Sequence, residues 1–489
     1  MILDRREFLK TSLSGAAALA CWVEIPALAR AKGKDELIRR TERPLNYESV
    51  RSTFTTRITP VERFYLRNHF DIPQVDVAKW RLQIRGLVEK PLSLSLADLR
   101  RMPQATVEAV LQCAGNGRGL FTPRVPGVQW RYGAMGNAEW KGVRLKDILQ
   151  RAGPKQDAAF VQVQGAERPV MDTTPQFIRA IPLRKAVHPD TLLALEMNGK
   201  PLAPNRGLPL RLVVPGWVGD DWMRHLVDIE VRADEPKAFY YDPAYRFPVS
   251  PGAPGAAIPA DQMKPMTKVN VKSLIGSLED GQRLRAGTQR IVGVAFSGEA
   301  GIDRVELSFD SGKTWTKAAL EGPNTPYGFR VFRHAWKAEP GSHEIACRAT
   351  DTAGLTQPEV PVWNPGGYLH NAIERLRVEV LAAVAWSLDT ARADEAKTAS
   401  APEDLPDDPA RPLVQGKCTL CHTADYITQQ RLTEPAWQRT VDKMRKFGTP
   451  ATDEEAKAMV AYLARNFPAD LPPPRSPRAP LPPGSVSRK

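Results

Sequence analysis

A cysteine pair followed by a histidine, near the carboxyl end of the chain, has the spacing of a covalent haem site. The residues are Cys418, Cys421 and His422, in the run Cys-Thr-Leu-Cys-His. In a C-x-x-C-H motif the two thiols form thioether bonds with the haem vinyl groups, and the histidine binds the iron. The motif therefore predicts one covalent haem c per chain. A zinc site is the alternative, but no second pair of cysteines or histidines accompanies the motif.

The second axial ligand of this haem is expected to be a methionine, either Met444 or Met459. Met459 shares an apolar helical stripe with Tyr462 and Leu463, which is typical of a core residue. Met444 precedes the loop at Gly448, and this arrangement resembles class I cytochromes c, in which a methionine before such a loop closes the haem site. We therefore assign Met444, with Met459 as the alternative. A methionine ligand would raise the reduction potential and suit the haem to accept electrons.

One other cysteine lies in a glycine-rich segment where a thiolate can bind a metal. Cys113 stands in the run Gln-Cys-Ala-Gly-Asn-Gly-Arg, which ends at Arg118. The glycines allow the backbone to approach a large ligand, and the thiolate is the coordinating form of cysteine. By itself this segment is only suggestive, because an inert buried cysteine is common. Its interpretation depends on the motifs around it.

The order of motifs over roughly two hundred residues resembles the sulfite oxidase family. The matching segments are Phe64–Pro73, Gln112–Arg118, Trp130–Met135, Met197–Trp217 and Ala244–Pro248. Further on, Asp351–Gly354 and Trp363–Tyr368 resemble parts of the family's dimerisation domain. The resemblance implies a molybdenum-molybdopterin cofactor, one per chain, with Cys113 as the metal ligand. It also implies a homodimer.

The resemblance further implies roles for individual side chains. Those expected to bind the cofactor are Tyr65, Arg67, Asn68, His69, Cys113, Arg206, Arg211 and Arg224. Those expected to form the catalytic pocket are Arg67, His69, Cys113, Arg118, Trp130 and Tyr245. Arg67 and Arg118 would hold an oxyanion by charge-assisted hydrogen bonds. His69 and Tyr245 would orient it.

Three departures from the family pattern concern the substrate pocket and the pterin site. Gly117 stands where the animal enzymes carry a second arginine. The run Ser297–Gly301 lacks the arginine that their sandwich domain sends to the substrate. A Lys-Trp pair of the pterin stretch is replaced by Arg224-His225. An anionic substrate is still expected, but these changes leave the identity of the sulfur compound open.

The chain, at 489 residues, is longer than one hydrophobic core usually supports, so a multidomain fold is expected. Proline- and glycine-rich runs and shifts in composition mark its boundaries. The predicted segments are a signal peptide (1–29), an α+β molybdopterin-binding catalytic domain (40–247), a Pro/Gly linker (248–268), an immunoglobulin-like β-sandwich (269–383), a flexible linker (384–412), a small all-α cytochrome c domain (413–467) and a disordered tail (468–489). No G-x-G-x-x-G or P-loop motif supports nucleotide chemistry.

The first thirty residues have the pattern of a twin-arginine export signal. Arg5 and Arg6 precede an apolar stretch, and Ala27-Leu28-Ala29 is typical of a cleavage site. Cys21 faintly resembles a lipoprotein site, but the apolar run continues beyond it, so cleavage after Ala29 is preferred. The twin-arginine route carries proteins already folded around a cofactor, so a periplasmic location is expected.

Together these features predict a periplasmic molybdohaem oxidoreductase that oxidises sulfite or a related sulfur anion. Electrons would pass one at a time from molybdenum through haem c to a soluble cytochrome c or another periplasmic acceptor. The alternatives are a sulfur dehydrogenase acting on carrier-bound sulfur, a sulfoxide reductase working in the reverse direction, and an electron-carrying cytochrome without molybdenum. The formal charge of +13 is spread along the chain rather than gathered in one basic run, so no nucleic acid partner is expected. No membrane-spanning helix is expected after the signal.

Overall fold

Strands form most of the regular structure before Leu381, and helices form most of it after Arg411. The computed structural model describes residues 36–382, 404–472, 474 and 476–480. The predicted signal peptide 1–29, with Cys21, and most of the predicted linker 384–412 lie outside the described residues. We refer to residues 36–262 as the front region, 263–382 as the sandwich region and 404–472 as the helical region.

The front region combines short strands with three short α-helices. Its strands are β1 (Glu36–Thr41), β2 (Asn46–Glu48), β3 (Leu82–Gly86), β4 (Leu92–Leu94), β5 (Gln104–Gln112), β6 (Met135–Arg144), β7 (Phe160–Gly165), β8 (Ile178–Pro182), β9 (Leu192–Met197), β10 (Lys200–Pro201), β11 (Arg211–Val213), β12 (Leu226–Arg232) and β13 (Arg246–Pro248). Its α-helices are α1 (Leu96–Arg101), α2 (Leu145–Ala152) and α3 (Leu183–Ala186). Short 3-10 turns cover Arg51–Thr53, Val61–Arg63, Arg118–Leu120, Pro204–Arg206, Gly219–Asp221 and Ala260–Gln262.

Two five-stranded sheets form the body of the front region. One has the order β10-β9-β6-β5, with β11 also paired to β9, and the other has the order β4-β3-β12-β7-β8. Helix α2 covers this body with its apolar face, since Leu145, Ile148, Leu149 and Ala152 are buried, and it ends at Gly153 in the left-handed conformation. The last residues of β5 are buried on both faces, so the loop that follows this strand lies inside the molecule.

Two further sheets make up most of the sandwich region. The strands are β14 (Met263–Pro265), β15 (Lys272–Ile275), β16 (Gln282–Arg285), β17 (Gly287–Phe296), β18 (Ile302–Ser308), β19 (Thr316–Lys317), β20 (Ala319–Glu321), β21 (Arg330–Ala338), β22 (Gly341–Asp351) and β23 (Glu374–Leu381). The sheets have the orders β15-β17-β21-β20 and β16-β23-β22-β18-β19. They share a core that includes Ile291, Val305, Phe332 and Leu376. Cys347 is buried in the same core, as the strand pattern around it predicts.

The segment interpreted as a linker, 248–268, is partly ordered into a sheet. Strand β14 pairs antiparallel with β13, and Met266 is buried. The front and sandwich regions also share a core, to which Phe54 and Val110 contribute from one side and Leu274 and Phe296 from the other. The proline- and glycine-rich composition predicts a boundary here, but it does not reveal that packing across this segment fixes the two regions together.

The helical region contains α4 (Arg411–Cys418), α5 (Asp425–Thr428), α6 (Glu434–Lys446) and α7 (Asp453–Asn466). Thr452 and Glu455 form a capping box that starts α7. The core of this region includes Val414, Trp437 and Met459. Within the described ranges, no helix of the protein is both long enough and apolar enough to cross a membrane.

Part of the predicted disordered tail is ordered. Residues Arg478–Pro480 form strand β24, which pairs antiparallel with β1, so that Leu37 lies opposite Ala479. The unpaired backbone groups of an edge strand can pair with another segment of the chain. The proline-rich composition of the tail does not reveal this pairing. The described residues belong to one compact unit.

Candidate functional site

A cavity opens beside Cys113, and we call it the inner cavity. It is lined by Phe64, Tyr65, Leu66, Arg67, His69, Leu111, Cys113, Ala114, Trp140, Glu167, Phe177, Met197, Asn205, Arg206, Arg211, Gly219, Asp220, Trp222, Met223, Arg224 and Tyr245. Eight residues implicated by the sequence, from Tyr65 to Tyr245, therefore share one cavity. The exceptions are Asn68, Arg118 and Trp130.

Cys113 begins the loop that follows β5. Its backbone N–H donates to the carbonyl of Ala134 at 2.9 Å, and its carbonyl accepts from Asn116 at 2.9 Å, so the loop is held at both ends. Burial raises the pKa of the thiol, while the positive charges of Arg67 and Arg118 lower it. Binding to a metal cation would favour the thiolate strongly.

Two positions in this loop, Gly115 and Gly117, have no room for a side chain. A Cβ atom at position 115 would lie 2.7 Å from the guanidinium of Arg118. Gly117 has a φ of +92°, and a Cβ there would lie 2.5 Å from the Cβ of His370. Position 117, where the animal enzymes have arginine, is therefore closed to a side chain here, because a residue from the sandwich region already fills the space.

Polar atoms at one end of the inner cavity have no protein partner. The Nε atoms of Arg206 and Arg211 and both side-chain polar atoms of Asn205 are buried without a hydrogen bond among the described residues. Burial, followed by repulsion from Arg224, lowers the pKa of Arg206 to about 10 and that of Arg211 to about 9. Unpartnered buried donors of this kind are costly unless a ligand satisfies them. They fit the phosphate of a pterin cofactor.

Arg224 has an acidic partner, whereas Arg206 and Arg211 donate to backbone carbonyls through their Nη atoms. Its guanidinium lies 2.6 Å from the carboxylate of Glu167. The same carboxylate lies 3.1 Å from Nδ1 of His225, whose Nε2 lies 2.7 Å from the carbonyl of Pro204. Burial opposes ionisation of Glu167, but Arg224 and His225 outweigh it and lower the pKa of this carboxyl. The Arg224-His225 pair therefore fixes the turn that presents Asn205 and Arg206.

His69 and Tyr245 form another part of the wall of the inner cavity. The Nε2 atom of His69 lies 2.6 Å from the phenol oxygen of Tyr245. His69 also stacks on Phe177, with ring centroids 4.1 Å apart, and Tyr245 stacks on Tyr368 at 5.3 Å. Burial and the surrounding arginines, Arg67 first among them, lower the pKa of His69 well below its ordinary value, so the imidazole is neutral. Burial raises the pKa of Tyr245 well above its ordinary value, so the phenol keeps its proton.

Tyr245 has a φ of +58°, in the left-handed region. For a bulky residue this conformation costs roughly 1–3 kcal/mol and is commonly found at functional sites. Its ring also lies beneath the guanidinium of Arg179, at 5.2 Å.

Three predicted site residues do not line the inner cavity. Trp130 is fully buried behind Tyr65, with ring centroids 6.4 Å apart, and lines neither cavity. It therefore supports the wall of the pocket rather than facing a ligand. Asn68 and Arg118 line a second cavity instead of the first. Arg118 is anchored there by a 3.0 Å hydrogen bond from its Nε to the carbonyl of Gly366.

This second, outer cavity lies between all three regions. Arg67, His69 and Tyr245 line both cavities, so the two are neighbours. The helical region contributes Cys418, Cys421, His422, Tyr426, Lys443, Met444, Phe447 and Thr449 to its wall. The tertiary structure thus brings the C-x-x-C-H motif and the Cys113 pocket to adjoining spaces, although roughly three hundred residues separate them in sequence.

The haem-type motif fits a ligand in the outer cavity. Cys418 is the last residue of α4, and burial raises the pKa of its thiol to about 12, as expected for a thiol without a charged partner. Nδ1 of His422 lies 3.3 Å from the carbonyl of Thr423, which leaves Nε2 for a metal. Met444 lines the same cavity as His422, whereas Met459 is buried in the helical core. The geometry therefore favours Met444 over Met459.

Several residues of the site were not identified from the sequence. Buried Arg179 lies 2.9 Å from Asp220 and 2.7 Å from Asp221. Burial raises the pKa of Asp221 to about 7 despite the attraction of Arg179. The two adjacent aspartates, Asp220 and Asp221, stand out in the sequence, but nothing in the sequence links them to Arg179. Tyr240, Phe177 and Tyr368 come from different elements, so only the fold assembles the aromatic cluster around His69.

Comparisons with known proteins also indicate a molybdopterin site in this chain. Residues 69–240 match the oxidoreductase molybdopterin binding domain, and residues 263–381 match the Mo-co oxidoreductase dimerisation domain. Sulfite oxidase of Arabidopsis thaliana is 35% identical over 363 residues, covering 68% of this chain and 91% of the plant protein. Mitochondrial sulfite oxidase of Rattus norvegicus is 34% identical over 359 residues, covering 70% of this chain. The match spans 65% of the rat protein's length.

Among solved structures, the chain is similar to the sulfane dehydrogenase SoxCD from Paracoccus pantotrophus. The TM-score is 0.61 with 27% identity, covering 75% of this chain and 94% of that chain. The match to the molybdopterin binding domain, with a buried cysteine in the same cavity as Arg206 and Arg211, defines a molybdopterin-dependent oxidoreductase. The chain belongs to the sulfite oxidase family, as the order of its motifs predicts.

Proposed function

We propose that this protein oxidises sulfite to sulfate beside Cys113 and delivers the electrons through a covalent haem c to a soluble cytochrome c. In the overall reaction sulfite gains one oxygen atom from water and releases two electrons and two protons. The molybdenum-pterin cofactor would supply two-electron chemistry, and the haem would supply one-electron steps. The observation that carries this proposal is the shared wall between the inner and outer cavities, formed by Arg67, His69 and Tyr245.

The cofactor would be held at two ends of the inner cavity. Cys113 is the candidate metal ligand at one end. Asn205, Arg206 and Arg211 would satisfy a phosphate at the other, through the side-chain atoms that have no protein partner among the described residues. Tyr65 lines the space between them. Each partner gained would relieve the cost of a buried unpaired donor.

The substrate anion would be bound by arginine. Arg67 lies at the junction of the two cavities and Arg118 lies in the outer one, so both can attract a dianion toward the pocket. The neutral His69 and the protonated Tyr245 would orient the anion by hydrogen bonds without adding charge. A wall with too many cations would hold the sulfate product as tightly as the substrate, which lowers turnover.

The haem would occupy the outer cavity, attached to Cys418 and Cys421 and ligated by His422 and Met444. In this arrangement the haem borders the catalytic pocket directly, so electrons would cross a short distance within one chain. We propose that the protein works in the periplasm after export by the twin-arginine route. That part rests on Arg5, Arg6 and the apolar segment that follows them.

A sulfane dehydrogenase acting on carrier-bound sulfur is the second candidate, favoured by the structural similarity to SoxCD. The helical region argues for a small diffusible anion instead. It forms one wall of the outer cavity beside the pocket, and Lys443 and Phe447 belong to this wall. A carrier protein would have to extend its sulfur group past this wall.

The test is sulfite-dependent reduction of the haem, followed by visible absorption in purified protein whose molybdenum and haem contents have been measured. Reduction by sulfite that is lost in the Cys113→Ser variant supports the proposal. Protein that carries both cofactors but stays oxidised with sulfite contradicts it. Reduction by a sulfane donor alone would then favour the second candidate.

A further inference from the structure

The segment 423–430, which contains the short helix α5, makes most of the polar contacts of the helical region with the front region. The backbone N–H of Glu42 donates to Asp425 at 2.8 Å. The side chain of Gln429 accepts from the backbone N–H of Gln129 at 2.8 Å, and the side chain of Gln430 donates to the carbonyl of Gly127 at 2.9 Å. Asp425 lies in α5, and Gln429 and Gln430 follow directly after it. This segment therefore determines how the helical region sits on the rest of the chain.

Tyr426, in the same helix, connects this contact to the haem motif. Its ring stacks on the ring of His422, with centroids 4.8 Å apart and an angle of 28° between the planes. Tyr426 also packs against the core of the front region and lines the outer cavity together with Arg67 and Tyr240. One aromatic ring thus contacts the candidate haem ligand on one side and the catalytic half of the molecule on the other.

The imidazole of His422 is held from two directions. The Nδ1 edge faces the carbonyl of Thr423 at 3.3 Å, and the Tyr426 ring lies against the imidazole face. Contacts of this kind fix the rotation of a histidine ligand and tune the metal it binds. Because Tyr426 is itself fixed by the contact with the front region, the orientation of the ligand depends on that contact.

We propose that Tyr426 is the positioning residue that couples seating of the helical region to the orientation of the His422 imidazole. The inference rests on the proposed haem c, and it assigns a role that the C-x-x-C-H motif does not contain. The stacking ring carries this role, so phenylalanine at position 426 should preserve it and an aliphatic side chain should not.

The experiment compares the ferric haem of the wild-type full-length protein with that of the Tyr426→Leu and Tyr426→Phe variants. Tyr462→Phe is the matched control, because Tyr462 belongs to the helical core and its hydroxyl donates to Pro406, away from the cavity. Electron paramagnetic resonance of the ferric haem responds to the orientation of the imidazole ligand, and a redox titration with dithionite gives the midpoint potential. Neither measurement needs sulfite, so both test Tyr426 even if sulfite is not the substrate.

We expect Tyr426→Leu to shift the ferric g-values and the midpoint potential and to slow sulfite-dependent haem reduction by about tenfold. Tyr426→Phe and Tyr462→Phe should resemble the wild type. Wild-type g-values and potential in Tyr426→Leu would overturn the inference, as would a Tyr426→Phe variant that behaves like the leucine variant. Wild-type protein without covalent haem would overturn both this inference and the proposed electron route.

A second measurement covers the case in which Tyr426→Leu fails to fold. In the wild-type protein with isotopically labelled tyrosine, the Tyr426 ring resonance should be shifted and broadened by ferric iron, since the ring lies against the iron ligand. Assignment by loss of the signal in Tyr426→Phe completes the test. A Tyr426 resonance identical in the ferric and ferrous proteins would rule out the stacking on which the inference depends.

Discussion

Nε2 of His69 lies 2.6 Å from the phenol oxygen of Tyr245, and both side chains line the two adjoining cavities. The imidazole is neutral and the phenol is protonated, because burial disfavours the charged form of each. The pair is therefore a hydrogen-bonding wall whose charge does not change near neutral pH, beside the cation Arg67.

Replacing Tyr245 with phenylalanine should lower kcat/KM for sulfite by about tenfold, the effect of losing one hydrogen bond in the transition state. Steady-state kinetics over pH 5.5 to 8 provide the measurement.

His69 should not titrate in this range in the wild type, because its pKa lies well below the ordinary value. A histidine-like inflection near pH 6.5 that disappears in His69→Gln would contradict this assignment.

Replacing Cys113 with serine should abolish sulfite-dependent haem reduction, because the candidate molybdenum ligand is lost while the haem motif is untouched. Metal analysis and visible spectra measure the two centres separately. Cys347→Ala is the matched control, since Cys347 is also buried but lies in the sandwich core. If Cys113→Ser kept full activity with bound molybdenum, the thiolate would not be the ligand.

Replacing Met444 with alanine should lower the haem midpoint potential, by an amount on the order of 0.1 V, because thioether ligation raises it. Redox titration and the visible spectrum report the change. Met459→Leu should leave both unchanged, because Met459 is 1% exposed in the helical core and does not line the cavity. The reverse pattern would assign the iron ligand to Met459.

Internal electron transfer should not depend on solvent viscosity, because the helical region is already seated on the front region. Gln129, Gln429 and Gln430 are all buried and exchange hydrogen bonds across this contact. Flash-induced reduction of the haem in sucrose or glycerol would measure the rate. Gln430→Ala should destabilise the contact by roughly 1–2 kcal/mol and introduce a viscosity dependence. A strong dependence in the wild type would mean that the helical region moves before each transfer.

Replacing Glu299 with glutamine should destabilise the protein at neutral pH by roughly 1 kcal/mol. Glu299, in the sandwich region, lies 2.8 Å from Lys185 of the front region and also pairs with Lys268. Burial opposes ionisation of Glu299, but the two lysines outweigh it and lower the pKa to about 2. The ionised carboxylate therefore stabilises the fold above its ordinary pKa, near 4.5, and this contribution is lost as the pH falls toward 2. Thermal unfolding at several pH values should show the variant and wild type converging in acid, and a gap that widens there would contradict the sign.

From the sequence alone, the chemistry could be predicted where it depends on particular residue types at a fixed spacing. The order of motifs around Cys113 identified the family, and the pattern from Cys418 to His422 predicted a haem site, because each is local along the chain. The alternating strands and the helical periodicity of α7 were readable for the same reason.

Only the tertiary structure decided which of these residues meet. It packed Trp130 behind Tyr65, it placed Met444 in the cavity that His422 lines, and it filled the space at Gly117 with His370. It also joined the two cavities through Arg67, and it set Tyr426 against the candidate haem ligand. These relationships depend on how segments pack together in space, some of them far apart along the chain, as Gly117 and His370 are. Neither local spacing nor composition reveals such packing in a single sequence.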